Sequence, residues 1–513
     1  MQFHHKIVFT VQFIHFIQAD TMLEFALLGL CLAVLAYYLF GKHCHSDEPP
    51  GPRGLPILGN LIDLARASDN MVNTLGVLGE KYGEIFSIRM GFKKTVVLTS
   101  KEAMQTVLSN EATFARDNTG MFADRSFHRN LGIATSHGSV WTKTRNWTFK
   151  TLREFGFGKS LAMEGYIQVA SDLLFAKIDE KQGTEVNVDY FFHQPIQTTV
   201  WLMIVGRLSE NDKGHLKLIS EKAERFIKSG VIGPSLVNAF PFLRFVFPNW
   251  LGHKVQTDFF QTCNSIGKRL FDEMGQELKA SPITHQPASL LEAFVQNCGK
   301  DDEIFNCENF QVAFQDLLLT SSDSTSSFLE SAVLYLITFP EVQEKIYQEI
   351  LDIAPNGRVI NFEDRKSMPY TQAFILETHR NARIAQNFAP RRALWDFLYK
   401  NYKIKKGTII LVDTRLYFED KKIWGDPEVF RPERFIGEHG ELENASSVIS
   451  FSFGKRNCPG ELHANIVTFL ILTALLQRYK ISNPVGQPTP RQDLKPGLAL
   501  KPYPFQVVFE KRK

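Results

Sequence analysis

The sequence predicts a mainly α fold with a minor β part, built as one large domain behind an N-terminal membrane anchor. Three observations carry this. Helical apolar patterns dominate the chain between Ser100 and Arg380, and strand patterns are confined to Glu84–Ser100, Lys403–Val412 and the C-terminus. After the Pro-rich stretch Glu48–Asn60 no second linker, internal repeat or low-complexity tract follows. With 44% hydrophobic and 22% charged residues, the 513-residue chain has material for a substantial core.

Leu23–Phe40 (LEFALLGLCLAVLAYYLF) is apolar apart from Glu24 and, as a helix, about 27 Å long, close to a bilayer core. No small-x-small cleavage site follows, so it reads as a retained anchor rather than a signal peptide. Lys6 precedes it and Lys42, His43 and His45 follow, which orients it only weakly. Residues 1–21 form an extension, and Met22 is an alternative start. The expected division is 1–21 extension, 22–40 anchor, 41–60 polar and Pro-rich hinge, and 61–513 one large domain. Pro49, Pro50, Pro52 and Pro56 exclude a helix there and predict a semi-rigid spacer. A net charge of +3 is too small to point to nucleic acid, and six Cys without a CxxC pair give no disulfide or zinc pattern.

Within the domain, Glu84–Ser100 reads as a hairpin turning at Gly91, and Ser100 as a helix N-cap. Helices are expected over Leu161–Lys177, Glu221–Ile227, Thr257–Leu278, Pro340–Ala354 and Tyr370–Arg380. Glu308–Ile337 has no Gly or Pro and predicts a single buried helix of about 45 Å. Its middle, Thr320–Ser327 (TSSDSTSS), is wholly polar. Ser and Thr inside a helix bond the carbonyl four residues back, and Ser321, Ser324 and Thr325 share one face. Such a groove suits proton delivery or a polar ligand.

The stretch Phe451–Glu461 (FSFGKRNCPGE) is the most specific in the chain. Gly454 and Gly460 allow tight turning near a flat ligand. Cys458 precedes Pro459 and a helical pattern, which places the sulfur at a helix N-terminus, where dipole and free N–H groups favour thiolate. That thiolate is either a nucleophile or a metal ligand.

Phe451, Gly454, Arg456, Cys458 and Gly460 resemble, at every fixed position, the haem-binding loop of the cytochrome P450 superfamily. Glu377-Thr-His-Arg380, Phe430-Arg-Pro-Glu-Arg434-Phe, Trp141-x-x-x-Arg145 and PPGPRGLPILGN resemble further landmarks of that family, in order. The spacing from Glu377 to Pro390-Arg391 is most similar to the animal microsomal branch.

The resemblance implies a cytochrome P450 fold holding haem b, with Cys458 as axial ligand and metal-binding residue. It implies that Trp141, Arg145, Arg391 and Arg456 hold the propionates, with Arg392 competing for Arg391's place, and that Phe451 shields the sulfur. Glu377, Arg380 and Arg434 become a structural ion network. Asp323, Ser324 and Thr325 fall at the oxygen-activating stretch, Asp323 as proton relay and Ser324 in place of the usual Thr. Ser321 departs from a usual Gly, and Gln386 lies near the position of a usual Pro in a segment that borders the substrate pocket.

The implied activity is insertion of one oxygen atom of O2 into a lipophilic small molecule (steroid, fatty acid, terpenoid or xenobiotic), with electrons from NADPH through a flavoprotein reductase and cytochrome b5 as a further partner. Lys143, Arg145, Lys150, Arg153 and Lys455 are either an ordinary solvated face or the reductase's docking surface. Phe240–Leu251 is aromatic enough to dip into a bilayer. Gly120–His137, Ser229–Phe247 and Lys495–Ala499 are expected to form the pocket. The implied location is the endoplasmic reticulum membrane, with the domain facing the cytoplasm. The alternatives are a haem-thiolate isomerase or dehydratase of oxygenated lipids, raised by Ser321, and a haem-binding carrier or sensor without turnover.

Overall fold

A computed structural model describes residues 47–512 apart from 69, 71, 159, 230–238 and 281–285, with Leu28, Gly29 and Leu32 alone ahead of them. Apart from those three residues, the proposed anchor lies outside the described residues. Among the described residues no helix is long and apolar enough to cross a membrane.

The Pro-rich stretch is not a free spacer. Ser87 donates from its N–H to Pro50 O (2.7 Å) and from its hydroxyl to Pro49 O (2.9 Å), and Glu48 pairs with Lys94 and Lys405. Prolines lack donors but keep carbonyls, so the stretch can satisfy an edge strand. Gly51 permits the approach: a Cβ there would sit 1.9 Å from Ser87 O.

That edge strand is β1 (Ile85–Met90), which pairs antiparallel with β2 (Lys93–Leu98) around Gly91 at φ +60°. Ser100 caps the next helix by accepting from Ala103 N–H. β3 (Ala115–Arg116) follows, then α1 (Gly138–Glu154), α2 (Ser160–Asp179), α3 (His193–Val205), α4 (Glu210–Lys228) and α5 (His253–Ala280). Helix α4 starts eleven residues before the predicted Glu221, at a Ser209/Asp212 capping box. The long helix α6 (Cys307–Thr338) comes next, then α7 (Pro340–Ile353) and α8 (Pro369–Ala382).

β4 (Arg391–Arg392) and β5 (Ile409–Val412) complete a five-stranded sheet, in the order β1-β2-β5-β4-β3. The single strand region expected over Lys403–Val412 is divided. Tyr402–Ile404 pairs with Phe397–Tyr399, and Gly407 at φ +83° turns the chain into β5. The last long helix is α9 (Glu461–Arg478), and the short strand β6 (Lys501–Pro502) lies near the C-terminus.

Helix α6 runs unbroken through the middle. Its first half packs Phe310, Phe314 and Leu318 into one apolar cluster with α3, α4 and α5. Its second half packs Phe328, Leu329 and Val333 into another with α2, α7 and α9. The polar run Thr320–Ser327 is where the two cores meet.

Candidate active site

The cysteine loop is built by close backbone contact. Gly454 (φ +70°) lies so near the end of the helix Lys101–Ser109 that a Cβ would come 2.5 Å from Leu108 O, and Cys458 N–H donates to Phe451 O at 2.8 Å. Helix α9 begins only at Glu461 with Gly460 as N-cap, so Pro459 lies outside it, contrary to the sequence expectation. Burial pushes the Cys458 thiol up, while the Gly460 N–H and Arg145 pull it down. The helix terminus alone therefore does not make a thiolate here; a bound cation would. Protein surrounds Cys458, and its exposed surface faces an internal cavity.

This cavity, of about 330 Å³, is walled by Phe149, Leu152, Val200, Met203 and Phe328 beside the loop. It brings together Arg145, Ser321, Ser324, Thr325, Phe451, Arg456 and Cys458. Of the three expected pocket loops, Gly120–His137 contributes Ile133 and Ala134. Lys495–Ala499 and the described part of Ser229–Phe247 contribute no wall, because α1 and α3 supply the apolar side instead. Ile384, Ala385, Phe388 and Ala389 do line it, whereas Gln386 turns away to donate to Val72 O (2.6 Å).

Four guanidinium groups converge at one side. Arg116, missed in the sequence, lines the cavity from β3, directly opposite Arg391 on β4. Arg391 is buried behind it, donating to Phe453 O (2.6 Å), Ser452 Oγ (3.1 Å) and Leu108 O. Arg456 donates to Phe114 O (2.8 Å) and lies over the Trp141 ring. Arg145, one helical turn after Trp141, donates to Asn457 O (3.2 Å). None has a carboxylate partner among the described residues. Burial first, then their mutual repulsion, brings Arg391 and Arg456 down to about 8 and Arg116 to about 10. Trp141 Nε1 and Arg116 Nε are buried without acceptors among the described residues. Such a set of unmatched donors fits a flat ligand with two carboxylates. No motif marks Arg116; its only sequence signal is a cation in the apolar setting Phe114-Ala-Arg116.

The polar run has two faces. Ser321 Oγ donates to Leu317 O (2.6 Å) and Ser324 Oγ to Thr320 O (2.8 Å), so the hydroxyls on the cavity face are held by their own helix. Asp323 is on the other face, not in the cavity wall. It accepts from Ala499 N–H at 3.0 Å, and burial pushes it up to about 6.

Away from the cavity, Glu377 accepts two bonds of 2.8 Å from Arg380 and lies 3.0 Å from Arg434 Nε, all three nearly solvent-free. On the outer surface, Lys143 pairs with Asp301 and Glu303, and Lys455 with Glu111, while Lys150 and Arg153 are exposed without an ion pair among the described residues. Phe242, Phe245 and Trp250 are 60%, 70% and 78% exposed.

Comparison with known proteins agrees with this geometry. The family described as Cytochrome P450 matches residues 49–509. The chain is 30% identical to a farnesoate epoxidase of Bombyx mori, covering 95% of this chain and 99% of that protein. It is 29% identical to cytochrome P450 2K4 of Oncorhynchus mykiss (95% and 97%) and 26% identical to a probable cytochrome P450 305a1 of Drosophila melanogaster (95% and 99%). With the cysteine loop, the arginine cluster and a match along nearly the whole chain, this protein belongs to the cytochrome P450 family of haem-thiolate monooxygenases.

Proposed function

We propose that residues 61–513 form one catalytic domain that oxygenates a lipophilic small molecule, with electrons from NADPH delivered by a flavoprotein reductase and, secondarily, cytochrome b5. The observation that carries the reading is the meeting of Cys458 with four carboxylate-free guanidinium groups around one apolar cavity. Cys458 would supply the thiolate that binds the haem iron, Arg116, Arg145, Arg391, Arg456 and Trp141 would hold the haem carboxylates, and Phe451 would shield the sulfur. Haem b, when bound, supplies the iron that activates O2, with thiolate donation favouring O–O cleavage. The aromatic and aliphatic walls bind and orient the substrate and exclude water. Ser321, Ser324 and Thr325 present hydroxyls to the cavity, and Asp323 holds protons behind them.

Residues 22–40 anchor the chain in the endoplasmic reticulum membrane with the domain in the cytoplasm. The exposed Phe242, Phe245 and Trp250 support a second contact with lipid. Lys150 and Arg153, without an ion pair among the described residues, face the reductase. The farnesoate epoxidase relative makes a terpenoid acid the first compound to screen.

The test is the ferrous–CO difference spectrum beside Cys458→Ser. The wild type is expected to show the strongly red-shifted thiolate band and the variant to lose it. A folded, haem-loaded wild type without that band would overturn the ligand assignment.

A further inference from the structure

The back face of helix α6 carries its own polar array. Asp323, Ser326, Ser327 and Glu330 follow i, i+3, i+4, i+7, about 200° round the helix from the cavity face of Ser321, Ser324 and Thr325. All four are buried. Glu330 accepts from Tyr190 N–H (2.9 Å) and from Ser326 Oγ (3.2 Å). Against this face lies the chain entering β6. Ala499 N–H donates to Asp323, and two residues later Lys501 brings an ammonium that is 2% exposed. Its Nζ is 2.9 Å from Asp189 Oδ1, 3.3 Å from Glu330 Oε2 and 3.2 Å from the centre of the Tyr190 ring.

Asp189 in turn meets Lys228 (3.2 Å) and Lys495 (3.3 Å), and Lys228 reaches solvent. The remaining groups facing the cluster are Glu224 on α4 and His193 on α3; burial holds His193 neutral, down at about 3. Two carboxyls, Asp189 and Glu330, thus pair with one fully buried cation, Asp323 lies on the same helix face as Glu330, and among the described residues the solvated members of the cluster lie beyond Asp189. Burial raises Glu330 to about 7 and Asp323 to about 6, and in both cases Lys501 opposes the rise.

We propose that Lys501 is a positioning residue for the proton-handling acid. Its ammonium, clamped between Asp189 and Glu330, keeps the acidic back face of α6 ionisable and joins it through Asp189 to solvent at Lys228 and Lys495, so protons enter from behind the helix. Each proton given up by a carboxyl is replaced from solvent, and the face regains its charge. This inference rests on the reading of Asp323 as the proton-handling acid.

The experiment is an infrared pH titration of the protonated-carboxyl band in full-length, haem-loaded protein, with Asp323→Asn and Glu330→Gln assigning its components. Lys501→Met is expected to move the midpoints up by about one pH unit or more, a tenfold change in proton affinity, and Lys501→Arg to restore them. Asp189→Asn, which frees Lys501 for Glu330, is expected to move the Glu330 midpoint down; it remains informative if Lys501→Met does not fold. The acid limb of reductase-driven NADPH oxidation is expected to shift in the same directions. Unchanged midpoints in Lys501→Met and Asp189→Asn would overturn the inference and leave Lys501 a packing residue. Shifted midpoints with no change in the NADPH oxidation profile would uphold the electrostatics and sink Asp323 as the proton-handling acid. Loss of the ferrous–CO thiolate band in the wild type would instead fail the proposed function, and the titration reads Lys501 regardless.

Discussion

The Arg456 guanidinium stacks on the Trp141 indole, 3.9 Å from the ring centre, and the indole N–H beside it is buried without an acceptor among the described residues. The stack positions a cation on the cavity wall, and the N–H adds a donor beside it. A cation–π contact is worth about 0.5–2 kcal/mol and a hydrogen bond to a charged group about 1.5–3 kcal/mol. Trp141→Phe should therefore speed haem loss to an apomyoglobin trap by about tenfold, and Trp141→Ala by more. Equal rates in wild type and both variants would remove Trp141 from the haem site.

Glu377 holds Arg380 and Arg434 together where none of the three meets water. Glu377→Gln leaves the buried Arg380 without its carboxylate and Arg434 with Asp426 alone, at a cost of about 3–5 kcal/mol. The urea midpoint should fall accordingly, while the ferrous–CO band of the protein that remains folded keeps its position. A moved band would mean that the network shapes the thiolate as well as the fold.

The Ser321 and Ser324 hydroxyls bond to their own helix's carbonyls, so each is oriented before any ligand arrives. Ser324→Ala should raise peroxide released per NADPH consumed several-fold at unchanged stability. Ser321→Gly should lower stability by about 0.5–1 kcal/mol, the cost of Gly within a helix. Unchanged peroxide release in Ser324→Ala would leave that hydroxyl a helix feature.

His463 stacks on Phe157 with ring centres 4.7 Å apart, and neither ring nitrogen finds a partner among the described residues. Burial lowers it to about 4, and His379 likewise. Above pH 6.5 both are neutral, folded or unfolded. As pH falls from 6.5 towards 4 the unfolded chain binds the extra protons, so stability is lost in that window, by about 2 kcal/mol per histidine at pH 5. His463→Leu should therefore lose less of its thermal midpoint than wild type between pH 7 and pH 5. Parallel curves would mean that His463 is protonated in the fold.

Lys150 and Arg153 on α1 have no ion pair among the described residues, whereas Lys143 and Lys455 are already neutralised by Asp301, Glu303 and Glu111. Charge reversal at Lys150 or Arg153 should raise the KM for reductase several-fold at low salt and little at high salt. Lys455→Ala should change it least. A larger effect at Lys455 would relocate the docking face.

The sequence by itself determined the class of this protein. Cysteine-loop, Glu377/Arg380 and Trp141/Arg145 motifs are local in the chain, and so are the patterns behind the hairpin and long helices, because turn chemistry and 3.6-residue periodicity act over short spans. Helix α6 was legible as one buried helix, and its hydroxyl face followed from spacing. What only the tertiary structure decided is who faces whom. Arg116 enters the site because β3 pairs with β4, a contact between residues 275 apart in number. Asp323 leaves the cavity wall because the chain at Ala499 offers it an N–H from the opposite side. Lys501 becomes a buried cation only where α6, the turn at Asp189 and β6 close around it. Burial and long-range pairing set those environments, and neither is written in any one stretch of sequence.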